Sequence, residues 1–77
     1  MSEALRADGF NNAILGVCTH FSHEVVIYDY EKCVSILMNR DGMTDEDARE
    51  HMEYNVCGAW VGENTPVFLR EFESNHD

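Results

Sequence analysis

The stretch DYEKCVSILMNRDGMT, Asp29 to Thr44, decides how this chain must fold. Tyr30, Cys33, Val34, Leu37 and Met38 recur at helical spacing, Ile36 widens that apolar face, and Glu31, Lys32 and Ser35 lie opposite. Asp29 suits an N-cap, because its carboxylate can accept from an unpaired N–H of the first turn. Arg40 suits the negative C-terminal end, and Gly42 takes the left-handed conformation that stops a helix. Thr44 then opens a second helix. With Asp47 three residues on it resembles a capping box, Asp replacing the preferred Glu. Asp45, Glu46 and Asp47 fill the first turn, where the helix dipole favours negative charge. Ala48, Met52 and Val56 form the apolar stripe, and Gly58 ends it. So short a connection predicts an antiparallel helical hairpin.

On the N-terminal side, Ala13 to Phe21 reads as a strand, with Leu15, Val17, Thr19 and Phe21 on one side and Gly16, Cys18 and His20 on the other. Ser22-His23 serves as a turn, and Glu24 to Asp29 is a second strand rich in β-branched residues. On the C-terminal side, Gly62 to Pro66 is a turn and Val67 to Phe72 a last strand. The order is β-β-α-α-β. It predicts an α+β domain: a three-stranded antiparallel sheet with a helical hairpin on one face. Residues 1–77 form one domain, with 1–12 loosely held and 74–77 frayed.

The second strand leaves both sheet faces apolar. If Val25 and Ile27 face the helices, Val26 and Tyr28 face away, joined by Phe68 and Phe72. Two helices cover one face only. The other is expected either to form a homodimer interface centred on Val26, Tyr28, Phe68 and Phe72, or to be covered by the N-terminal segment through Leu5 and Phe10.

Fifteen Asp and Glu against five Lys and Arg give a net charge of −10 over 77 residues, while 44% of the chain is apolar. That excludes a purely disordered acidic tail. It also excludes binding of DNA or anionic lipid through a basic patch, so neither nucleic acid nor membrane is expected as a direct partner. The absence of a leader-like apolar run predicts a soluble, cytoplasmic protein. Three cysteines (Cys18, Cys33 and Cys57) cannot all pair within one chain, which fits free thiols in a reducing compartment. Cys18, His20, His23 and Cys57 match no established zinc spacing, Cys33 lies on a buried stripe where thiols are inert, and no catalytic residue, metal or cofactor is assigned.

From about Tyr28 to Leu69 the chain resembles a group of small bacteriophage-encoded proteins without an agreed activity. The resemblance is carried by Asp29 to Cys33, Arg40 to Thr44, Glu53 to Val56 and above all GAWVGENTP, Gly58 to Pro66. It implies a phage or prophage origin and therefore a bacterial host cytoplasm. It supplies no catalytic residue. Small acidic phage proteins often bind and block a bacterial protein, including restriction and CRISPR machinery, an association by class and size.

The charge is uneven. Residues 1–38 hold five acids and two bases; residues 39–77 hold ten and three. Glu46, Glu50 and Glu53 fall on one outward helical stripe. This stripe, with Trp60 and Glu63 beside it, is the expected contact for a bacterial protein with a basic surface. The expected function is a non-enzymatic, phage-encoded inhibitor of a nucleic-acid-handling or defence complex, acting by charge mimicry. The alternative is a homodimeric accessory phage protein.

Overall fold

A computed structural model describes residues 4–59 and 62–71, with His20 described by its backbone alone. Its elements follow the expected order: β1 (Ile14–His20), β2 (His23–Asp29), α1 (Tyr30–Asp41), α2 (Asp45–His51) and β3 (Val67–Leu69). A 3-10 turn, Asn11–Ala13, precedes β1, and a π-helical turn, Met52–Val56, extends α2. That turn is closed by the Cys57 N–H donating to Met52 O, five residues back (2.6 Å).

The caps form where local chemistry puts them. The Lys32 N–H donates to Asp29 Oδ1 (3.2 Å) and the Asp47 N–H to Thr44 Oγ1 (3.1 Å). Gly42 ends α1 at φ 71°, a backbone geometry that costs a residue with a Cβ roughly 1–2 kcal/mol.

The sheet is mixed, not antiparallel throughout. β1 and β2 form an antiparallel hairpin from Ile14↔Tyr28 to His20↔His23, with Leu15 at an irregularity between Ile14 and Gly16. β3 lies on the other side of β2 and runs parallel to it, Ile27↔Val67 to Asp29↔Leu69. The cause is where the chain re-enters after α2. Asn64 Nδ2 donates to Glu24 O (2.9 Å), beside the start of β2, and the Leu5 N–H donates to Asn64 O (3.4 Å). From there the chain can follow β2 only in β2's own direction. The two helices supply the long crossover that a parallel pair requires.

The sheet's phase is opposite to the expected one. Val26 is 5% exposed and Tyr28 is wholly buried, so the helix-facing side carries them and the open side carries Val25 and Ile27. Phe68 is half-buried and its ring stacks on Tyr28 (centroids 5.3 Å apart, planes at 25°). Val26, Tyr28 and Phe68 are therefore core-side residues and cannot form an exposed dimer contact; Phe72 lies outside the described residues. The core joins them to Tyr30, Cys33, Val34 and Leu37 of α1 and to Ala48 and Met52. Full burial of a side chain such as Leu37 or Met52 contributes about 1.5–3 kcal/mol.

The N-terminal segment belongs to this core. Phe10 and Ala13 are buried, and Ala4 and Ala7 pack against them. The Ala7 N–H donates to the Tyr28 hydroxyl (2.8 Å), and Arg40 Nη1 donates to Gly9 O (2.9 Å) while its guanidinium sits over the Phe10 ring. The guanidinium lies so close that a Cβ on Gly9 would meet it at 2.7 Å. The segment thus covers the helix side of the sheet around Tyr28, while Val17, which pairs with Val26 on that side, stays 56% exposed.

Candidate functional site

The acidic surface is built on α2, whose inner side is anchored by Ala48 and Met52, both wholly buried. Its outer side is sorted by three arginines. Arg49 bridges two acids: its Nε donates to Asp45 Oδ1 (2.8 Å), one turn earlier, while Nη1 and Nη2 donate to the two oxygens of Glu31 on α1 (2.9 and 2.8 Å). This fork-to-fork pairing holds the Glu31 carboxyl below the usual range, chiefly through the hydrogen bonds from Arg49. Arg70, just after β3, pairs with Glu53 and lies over the Tyr30 ring (4.0 Å). Arg40 grips both oxygens of Asp41 (2.9 and 3.0 Å), which lowers the Asp41 pKa.

Every arginine of the acidic half is thereby engaged with a carboxylate. Glu46, Asp47 and Glu50 are exposed and make no ion pair among the described residues. Asp47 and Glu50 border a shallow hollow with Met43, His51, Asn55 and Tyr54, a residue 77% exposed. Glu46, Asp47 and Glu50 form one patch along α2; Asp8, Glu24 and Glu71, elsewhere in the fold, make no ion pair among the described residues either.

The structure divides the expected contact. Glu46 and Glu50 share the exposed patch, which gains Asp47. Glu53 is drawn off by Arg70. Glu63 pairs with His23 at the rim of the open sheet face, away from the α2 layer. Trp60 lies outside the described residues. Cys18 belongs to β1 on the open sheet face, whereas Cys57 follows the π turn beside Gly58, Pro66 and Arg70. Among the described residues, no three His, Cys, Asp or Glu side chains are grouped to hold a metal ion. Burial pushes the Cys33 thiol up to about 12 and raises that of Cys57. No helix among the described residues is long and apolar enough to cross a membrane.

Sequence reasoning misses one feature altogether. The β1–β2 turn is Phe21-Ser22, not Ser22-His23, and Phe21 takes φ 58° with 87% of its surface exposed. A positive φ at the first central residue of a two-residue turn is a glycine position. The available signal was a single aromatic between two matched strands of seven residues. Phe21 lines a hollow of about 570 Å³ on the open sheet face, with Cys18, His23, Val25, Ile27 and Val67. Comparison with protein-family models, curated proteins and solved structures finds no match to this chain.

Proposed function

We propose that the protein is a non-enzymatic acidic binding module of phage origin. In this reading the Glu46–Asp47–Glu50 patch of α2 docks on a basic surface of a bacterial protein that handles nucleic acid, and thereby inhibits it. The observation that carries the reading is that these three anions stand together on one helix with no ion pair among the described residues. Arg40, Arg49 and Arg70 are spent on Asp41, Glu31, Asp45 and Glu53, and these three side chains are left open to solvent.

The physics favours such a contact. Two carboxylates about 6 Å apart along a helix axis repel by only about 0.7 kcal/mol in water, so the fold tolerates the patch. The same charges steer a basic partner into encounter and gain strength once water is displaced. Duplex DNA carries about one charge per 1.7 Å. Three anions along roughly 6 Å of helix therefore match the charge of a few phosphates, not of a long groove. The fitting target is a local phosphate-binding pocket.

The test is a comparison of wild type with Glu46→Lys/Glu50→Lys, each immobilised and exposed to nuclease-treated bacterial lysate. The reading expects a nucleic-acid-binding protein to be retained by wild type, released by high salt and lost from the variant, and its nucleic acid to compete for it. Equal retention on both columns at low salt defeats the reading. Glu53→Gln serves as the contrast, since Glu53 is already paired with Arg70, and it should retain binding.

A further inference from the structure

We propose that the hollow between the N-terminal segment, the π turn and β3 binds a zwitterionic amino acid with a large apolar side chain. Its volume is about 520 Å³, within the ~300–1,000 Å³ that small-molecule sites occupy. Its apolar lining includes Phe10, Val56 and Phe68, and the two phenylalanines offer aromatic surface to an apolar side chain.

The polar groups at the rim select the ligand. Three of them are already committed. Arg40 donates to both oxygens of Asp41 and to Gly9 O, and Asn55 Nδ2 lies 3.3 Å from His51 Nδ1. Arg6 and Asp8 are not committed. Both line the hollow and are exposed, and neither makes an ion pair or a side-chain hydrogen bond among the described residues. Arg40, Arg49 and Arg70 each hold a carboxylate, so Arg6 is the one described arginine without one.

An unpaired cation and an unpaired anion thus stand two residues apart on one apolar hollow. In the proposed complex the ligand's carboxylate meets Arg6, its ammonium meets Asp8, and its side chain enters the hollow. A zwitterion is also the ligand that the rest of the molecule admits. The net charge of −10 repels a purely anionic ligand, and a purely cationic one faces Arg6 as a like charge.

The two charges are positioned in advance. Arg6 and Asp8 flank Ala7, whose N–H donates to the Tyr28 hydroxyl (2.8 Å), and Asp8 precedes Gly9, whose carbonyl accepts from Arg40 Nη1 (2.9 Å). Anchored backbone lowers the ordering cost of binding. The π turn supplies Asn55 and Val56, and such turns recur at functional sites. Neither Glu46 nor Glu50 lines the hollow, so this site and the acidic patch stand or fall separately.

NMR titration of the full, isotopically labelled chain tests the proposal with three probes: L-phenylalanine, phenylpropionate, which lacks the ammonium, and phenethylamine, which lacks the carboxylate. L-phenylalanine is expected to shift the amides of Ala7, Val56 and Phe68 and to saturate with a Kd of about 1 mM, the affinity ordinary for a ligand of its size. Each one-charge analogue should bind about tenfold more weakly or worse. Arg6→Gln should weaken L-phenylalanine about tenfold and leave phenethylamine unchanged; Asp8→Asn should weaken it likewise and leave phenylpropionate unchanged. Both side chains are exposed, so neither variant should lower Tm, and the analogue comparison on the wild-type chain stays decisive if one does. The absence of a saturable shift with L-phenylalanine overturns the proposal. So do equal affinities for the three probes, shifts confined to Val25 and Ile27 on the open sheet face, or undiminished L-phenylalanine affinity in either variant.

Discussion

Replacing Tyr28 by Phe removes one oxygen from the centre of the molecule and tests how the N-terminal segment is held. The ring, its burial and its stacking on Phe68 all survive the change. What disappears is the acceptor for the Ala7 N–H at 2.8 Å. A net hydrogen bond is worth about 0.5–1.5 kcal/mol, and an orphaned buried donor costs about 1–3 kcal/mol. Ala7 is half-buried, so water recovers part of that, and the expected loss is about 1–2 kcal/mol. A domain of this length holds only about 4–12 kcal/mol in total. Each kcal/mol lost lowers Tm by about 4–8 °C. Urea denaturation gives the global value. Amide exchange gives the location: protection of the Ala13 N–H, which donates to Phe10 O (2.9 Å), should fall well before that of α1. Unchanged stability together with unchanged exchange in residues 4–13 would refute the view that this bond clasps the segment to the sheet.

Two further outcomes are expected. The Glu31 carboxyl titrates below its ordinary 4.5, so its pairing stabilises the fold above that pH and the contribution is lost as pH falls through the lowered folded-state value; NMR titration should show Arg49→Gln returning Glu31 towards 4.5, and an unmoved Glu31 sinks the assignment. Iodoacetamide should alkylate Cys18 faster than Cys57, whose thiol is raised by burial, and should reach Cys33 only in denaturant; mass spectrometry showing Cys33 modified in the native protein contradicts its place in the core.

Much of the candidate site was legible because it is local. Thr44, Asp45 and Arg49 interact over four residues or fewer, and the exposure of Glu46 and Glu50 follows from Ala48 and Met52 facing inward. The selection among the acids was not legible. Arg49 reaches 18 positions back to Glu31, and Arg70 reaches 17 back to Glu53. Only the packed helices and the return of β3 bring those groups within bonding distance. The phase of the sheet was misread for a related reason. In Val25-Val26-Ile27-Tyr28 both alternating sets are apolar, so period-two patterning has no preferred phase.

The chain's own order determined the elements and their ends, because a helix cap, a left-handed glycine and an apolar stripe each act across a few residues. The tertiary structure decided which way the sheet faces and which way its last strand runs. Tyr28 turned inward to meet Ala7 and Phe68, and Asn64 fastened the returning chain beside Glu24. Those contacts join residues 21, 40 and 40 positions apart, and no periodicity within a single segment encodes them.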